Sequence, residues 1–319
     1  MTSLEQLLAP VNVKEFLRDY WNRGPLYIDG ADDKFSVLPG VRELPSLLSG
    51  RLVGDRWIKG HAHSAQASVI DRMGRVRNVN AVPSMWPELF NIGFSLCFSA
   101  VDQYSEQLSN LVQSIRSTTS LPGTILTTSY LTPPCSGSVM HFDSQHAFFM
   151  QVSGKKHWRI SKRAAWQDAP ANIPLSSLNT PAMKAFLDAM GVIVLSPEQI
   201  GIQEITLSAG DVLYLPPGVW HEGHTSETHS LHYTLTFMPL GPWQLLVAYL
   251  RRAYFAKTSM RRDLRYATAA GDGDSTVLLE TALGELREIM ASVTAIDLER
   301  FFAQMATTDI PIKNHLLLS

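Results

Sequence analysis

Cysteine is nearly missing: only Cys97 and Cys135 occur in 319 residues. That excludes a disulfide framework and fits a reducing compartment. No run of about 18 or more apolar residues occurs, so no membrane-spanning helix is expected. The start, Met1 to Gln6, has neither a basic region nor a long apolar core, so no signal peptide is expected and a cytoplasmic location follows. An excess of charge of one sign is also missing. Twenty-seven Lys and Arg face 29 Asp and Glu, for a net charge of −2, which gives no global attraction to nucleic acid or anionic membrane. A local basic stretch, Arg251 to Arg265, reads as the solvated face of a helix. Internal repeats and low-complexity segments are absent.

What is present is globular. Hydrophobic residues make up 45% and charged residues 18%, too apolar for a disordered chain. The length suits one main domain with a smaller appendage. Residues 3–23 carry Leu4, Leu7, Leu8, Phe16, Leu17, Tyr20 and Trp21 at helical spacing, closed by Pro25 and a short strand, Leu26 to Ile28. Between 40 and 120, Arg56–Lys59 and Gly93–Phe98 read as strands and 104–116 as a helix. Residues 121–240 are β-rich: 124–132, 147–152, 157–161, 203–207, 212–215 and 231–237 carry β-branched or aromatic residues between Gly, Pro and Asp. Many short strands in succession predict a sandwich or barrel rather than a βαβ sheet. Residues 164–200 read as an insertion of helix and loop. After Pro239, residues 243–264, 276–291 and 296–306 predict three helices, so a boundary is placed near 240.

The chemistry centres on His141-Phe142-Asp143, followed 80 positions later by His221. Residues i and i+2 of a strand point to one side, so His141 and Asp143 present an imidazole and a carboxylate to one point. Two histidines and one carboxylate on one face of an octahedron leave three open positions, the arrangement of non-haem Fe(II) oxygenases. Two of those suit a bidentate 2-oxo acid and the third suits O2. An isolated H-x-D is a weak signal in a chain with 10 histidines. The segment Gly210 to His221 strengthens it: a turn, an apolar strand and a Pro-Pro-Gly bend deliver His221 from a strand end into a mouth.

A dicarboxylic oxo acid needs a buried cation at its far end, because an unpaired buried charge is costly. Lys156, past the Ser153-Gly154 turn, is the candidate. Lys155 is the alternative, and strand alternation lets only one of the two point inward. Thr234 and Thr236, alternating with His232 on the last strand, and Ser138, three residues before His141, offer hydroxyls to the same carboxylate. Trp220 and Tyr130 are candidate aromatic walls.

These residues resemble the ribosomal oxygenase branch of the JmjC family. The carrying segments are Ser129 to Pro134, His141-Phe142-Asp143, Phe149 to Arg159 and His229 to Thr234, with Phe16 to Leu26 similar to the family's amino-terminal signature. The resemblance covers roughly residues 10–240. It implies a double-stranded β-helix (jelly-roll, cupin-like) with flanking helices, a catalytic domain at 1–240 with its core at 121–240, and a helical dimerisation region at 241–319. It implies Fe(II) held by His141, Asp143 and His221, and 2-oxoglutarate held by Lys156 and lined by Tyr130, His232 and the hydroxyls of the last strand. With O2, the oxo acid goes to succinate and CO2 while a substrate C–H bond is hydroxylated. The family pattern is broken at Ser144, where many members have Asp, and at Thr128, where Asn is common; the roughly 80 residues after 240 are expected to hold the helices but not obviously a winged helix as well. The expected substrate is a side chain of an intracellular protein. A free amino acid or small metabolite is the second reading, for which Arg159 or Arg163 with Glu222 would line a sealed cavity over the metal. A non-enzymatic cupin-like module is the third. A homodimer is expected from the apolar stripe Leu245, Leu246, Tyr249 and Leu250.

Overall fold

The computed structural model describes residues 3–44, 65–70, 75–119, 123–261 and 275–307. The expected strand at Arg56–Lys59 lies outside these residues. Cα packing divides the chain into two units, 1–119 with 125–238, and 120–124 with 239–319.

The first unit holds two sheets. The larger has the order β1 (Leu26–Ile28), β11 (Val212–Leu215), β7 (His146–Gly154), β13 (Ser230–Pro239), β5 (Gly123–Thr132), β4 (Ser95–Ser99), β2 (Ala65–Ile70) and β3 (Val76–Ala81). The smaller has the order β10 (Ile202–Leu207), β8 (Lys156–Ala164), β12 (Val219–His224), β6 (His141–Phe142) and β9 (Ile173–Pro174). The β1–β11–β7–β13 and β5–β4–β2–β3 pairings of the larger sheet, and all those of the smaller, are antiparallel. Ala147, Phe149, Leu213 and Leu215 from the larger sheet pack against Trp158, Ile160, Leu207 and Val219 from the smaller. Side chains of alternate residues therefore fill one layer between the sheets, the architecture of a double-stranded β-helix.

The larger sheet is buried on its other face as well, which is why β13 is almost continuously buried. Phe237 meets Trp21, and the Tyr233 hydroxyl donates to the Pro39 carbonyl at 2.7 Å. The opening helical segment is two helices, Leu4–Leu8 and Val13–Asp19, capped by Ser3 and Asn12. Trp21 stacks on buried His146, whose Nδ1 lies 2.8 Å from the Tyr214 hydroxyl. Burial pushes the His146 pKa down to about 3, so this imidazole is a neutral part of the core.

Three sequence expectations change. His221 sits inside strand β12 rather than at a strand end, because Gly223 and His224 continue the ladder against Trp158 and His157 of β8. The 164–200 insertion carries helices Pro181–Met190 and Pro197–Ile200, but also β9, which extends the smaller sheet through β6. Trp220 is fully buried on the face of β12 away from His221, packed on Phe142 and Ile173 with its indole donating to the Leu195 carbonyl at 2.8 Å. It anchors the insertion and walls no mouth.

In the second unit, helices run over Pro242–Ala256, Ser275–Ser292 and Ala295–Thr307, with Tyr249 edge-on to Phe301 at 5.5 Å. The first ends at Ala256, short of the expected 264, and a 3-10 turn follows at Ser259–Arg261. No helix of the described residues is long and apolar enough to cross a membrane.

Candidate functional site

Register builds the metal corner. On the smaller sheet His141 of β6 stands directly opposite His221 of β12, so two imidazoles 80 positions apart become cross-strand neighbours. Their ring centroids are 4.3 Å apart. Asp143, just past β6, brings its carboxylate oxygens to 3.9 Å from His141 Nε2 and 3.6 Å from His221 Nε2. The three ligand atoms lie within 4.8 Å of one another, a group that can hold a metal ion. Each imidazole has its Nδ1 on a backbone carbonyl two residues earlier, Val139 at 2.8 Å and Val219 at 2.9 Å. A ring donating through Nδ1 presents the Nε2 lone pair to the shared point. Burial, and then the neighbouring His141, pushes the His221 pKa down to about 4, which favours the neutral, ligating form.

Deeper in the same interior lies a different set of groups. Lys156 is buried while Lys155 is exposed, as strand alternation requires. Its Nζ donates to Thr132 Oγ1 at 3.3 Å and sits 5.3 Å above the Trp158 ring. Among the described residues no carboxylate pairs with it, and burial alone pushes its pKa down to about 7. Gly223, the inward residue next to His221, makes room for this side chain, since a Cβ there would lie 2.9 Å from Lys156 Cε and 3.0 Å from the Trp158 ring.

His232 is buried, stacked on Tyr130 at 5.0 Å between ring centroids, and edge-on to Trp158 at 5.8 Å. Burial and the Lys156 ammonium hold its pKa well below the usual value. Cys97 lies across from Tyr130 on β4, and coupling to its thiol, burial and the Asp143 carboxylate hold the Tyr130 phenol well above its ordinary pKa. His232 Nδ1, Thr234 Oγ1 and Trp158 Nε1 are buried with no hydrogen-bond partner among the described residues. Phe149 and Trp158 join the two ends: their rings lie 5.8 and 6.2 Å from that of His221 and 6.0 and 5.8 Å from that of His232.

Of the other candidate residues, Ser138 Oγ accepts from the Gly223 N–H at 3.1 Å, which leaves its own proton to donate. Thr236 is only half-buried and donates to the Leu126 carbonyl at 3.3 Å, which leaves no hydroxyl proton for a ligand. Arg159 and Glu222 pair with each other on the outer face of the smaller sheet, opposite in register and one residue out of phase with Ile160 and His221. They do not line a cavity over the histidines. Sequence reasoning missed Thr132, Trp158 and Gly223. Trp158 follows as an inward position from the parity of Lys156, and Gly223 from that of His221, whereas nothing local marks Thr132.

Residues 101–241 match the family model described as JmjC domain. It is 27% identical over 276 residues to Ribosomal oxygenase 1 of Gallus gallus, covering 82% of this chain and 40% of that protein. It is 28% identical over 246 residues to the bifunctional lysine-specific demethylase and histidyl-hydroxylase NO66 of Drosophila persimilis, covering 73% of this chain and 31% of that one. The chain thus spans less than half the length of these curated relatives. Its fold is similar to that of YcfD, a ribosomal oxygenase from Escherichia coli solved in complex with cobalt and 2-oxoglutarate. The TM-score is 0.56 at 15% identity, over 94% of this chain and 72% of the other.

Proposed function

We propose that the chain is an Fe(II)- and 2-oxoglutarate-dependent oxygenase that hydroxylates a side chain of an intracellular protein. The observation that carries this is Lys156, a buried ammonium without a carboxylate partner in the same interior as the His141, Asp143 and His221 cluster. An uncompensated buried cation is unfavourable unless a ligand supplies the opposite charge. A divalent cation at the triad and a dicarboxylate on Lys156 together leave the interior formally neutral. His232 Nδ1, Thr234 Oγ1 and Trp158 Nε1 add polar atoms that an oxygen-rich ligand satisfies, so the residues fit the group.

Bound there, Fe(II) and 2-oxoglutarate supply oxidative decarboxylation coupled to C–H hydroxylation. The chain's residues bind, aim and exclude water. His141, Asp143 and His221 hold the metal, the two rings locked by the Val139 and Val219 carbonyls. Lys156 and Thr132 hold the far carboxylate, with Thr234 and Ser138 as further hydroxyl donors. Phe149 and Trp158 close the space between the two ends against water. Neutral His232, stacked on Tyr130, walls the pocket without adding charge beside Lys156.

A polypeptide substrate is favoured over a free amino acid by the sequence likeness to Ribosomal oxygenase 1 and to NO66, whose names state oxygenase and histidyl-hydroxylase activities. The charge pair that a free amino acid would use is spent on the outer face, Arg159 on Glu222. The test is a mass shift of +16 Da on ribosomal peptides from cells with the protein, absent without it. Turnover of a free amino acid with no shifted peptide would replace this reading. For the helical unit we propose homodimerisation, supported by exposed Trp243, Val277, Leu279 and Leu283 and by the half-buried run Leu245 to Leu250. Light scattering on the full chain decides it, a monomer refuting the claim.

A further inference from the structure

The three groups of the triad are not held alike. His141 and His221 are each oriented by a carbonyl of their own strand. Among the described residues the Asp143 carboxylate accepts no hydrogen bond, its nearest neighbours being the two Nε2 atoms at 3.9 and 3.6 Å, so its direction is set by its backbone. That backbone is clamped from the insertion. The Asp143 carbonyl accepts from Gly218 N at 2.8 Å, and the Gly218 carbonyl accepts from Ala165 N at 2.7 Å. Gly218 has φ +80, and a Cβ there would meet the Trp166 carbonyl oxygen at 2.0 Å, so this close approach requires glycine. On the other side, Asn172 Oδ1 accepts both from Ser144 N at 2.8 Å and from Ser144 Oγ at 3.0 Å. Gln145 Oε1, at 3.3 Å, is the weaker acceptor for that hydroxyl. Asn172 itself is fixed by the next residue, Ile173, paired with Phe142 across β9 and β6.

We propose that Asn172 is a positioning residue for the metal centre. By pinning Ser144, it sets the direction in which Asp143 presents its carboxylate. The inference rests on the metal reading of the triad. Asn172 is exposed, so its side chain adds little to the core, and its two bonds converge on the residue after the ligand. The inserted segment thereby takes part in building the metal corner. Outer residues that orient ligands typically govern affinity by about 10- to 100-fold.

The test is titration of the full-length apoprotein with Co(II), followed by its d–d absorption, with the apoprotein Tm measured alongside. Asn172→Ala is expected to weaken Co(II) binding about tenfold and alter the absorption band, with the Tm within a few degrees of wild type. Asn172→Asp, which keeps the acceptor oxygen, is expected to restore affinity to within a few-fold. Wild-type affinity in Asn172→Ala overturns the inference. So does a loss that Asn172→Asp fails to recover, or one matched by an equal loss of apoprotein stability. Should Asn172→Ala not fold, Ser144→Ala removes one of the two bonds: weaker Co(II) binding supports the inference and unchanged binding overturns it. Failure of the wild type to bind Co(II) brings down the metal reading and this inference with it, whereas tight wild-type binding with an unaffected Asn172→Ala removes only the role of Asn172.

Discussion

The two ends of the barrel interior differ in how complete they are. At the metal corner the polar atoms not facing the shared point are satisfied: both imidazoles rest on carbonyls and the Asp143 backbone on Gly218. At the Lys156 end the polar atoms are buried and largely unmatched, with one hydrogen bond to Thr132 and three side-chain atoms without any. A preorganised corner needs no ligand to keep its shape. An unmatched one is costly until a ligand fills it, and that cost points to the ligand's charge and size.

The largest expected effect comes from breaking the complete end. His221→Ala should abolish tight metal binding and bring succinate release from 2-oxoglutarate to background while circular dichroism reports a folded chain. Retained turnover would contradict the assignment.

Breaking the incomplete end should split stability from binding. Lys156→Met keeps an unbranched side chain one atom shorter and removes the unpaired ammonium. The KM for 2-oxoglutarate should rise at least about thirtyfold, because truncating one partner of a buried charge pair costs roughly 2–5 kcal/mol. Apoprotein stability should rise or stay level near pH 6, since no partner is left unpaired. A fall in stability with unchanged KM would mean that Lys156 is structural.

The pH dependence sharpens the same contrast. The folded pKa of Lys156 lies below its unfolded value, so the unfolded chain binds more protons between about pH 7 and the ordinary lysine range. This group therefore makes apoprotein stability rise with pH across that window, and the Lys156→Met advantage should vanish at its top. A bound carboxylate raises the lysine pKa. The KM for 2-oxoglutarate should thus be lowest below about pH 7 and climb above it. Lys156→Arg should flatten the climb, because a guanidinium stays charged. A flat wild-type profile would argue against Lys156 as the anchor.

The smallest effect is expected at Thr132. Thr132→Val removes one hydroxyl at the same shape and should raise that KM several-fold, the equivalent of about 1 kcal/mol, with no change in metal affinity. An altered metal affinity would show that the two ends are not separable.

Much of this contrast was legible in the sequence, unevenly. Period-two alternation and β-branched residues marked β5, β7, β8, β10, β11 and β13, because those strands bury one or both faces. The H-x-D spacing brought His141 and Asp143 together, but the register that sets His221 opposite His141 arises from long-range pairing that no local pattern encodes. β12 was hidden because Pro216, Pro217 and Gly218 announce a bend and Gly223 interrupts its apolar run. β9 was hidden because it is two residues long and ends in Pro174. Trp220 looked like a mouth residue because adjacency in sequence was read as adjacency in space, whereas strand alternation sends it to the opposite face from His221. Thr132 and Asn172 carry no local signature, since each matters only through a partner brought up by the fold.

The most direct test of the paired ends is the thermal shift of the Mn(II)-loaded protein with 2-oxoglutarate and with 2-oxobutyrate, which has the chelating oxo acid but no distal carboxylate. The account predicts a clear rise in Tm with 2-oxoglutarate, little with 2-oxobutyrate, and no difference between the two acids in Lys156→Met. Equal shifts from both acids in the wild type, or no shift from either, would contradict it.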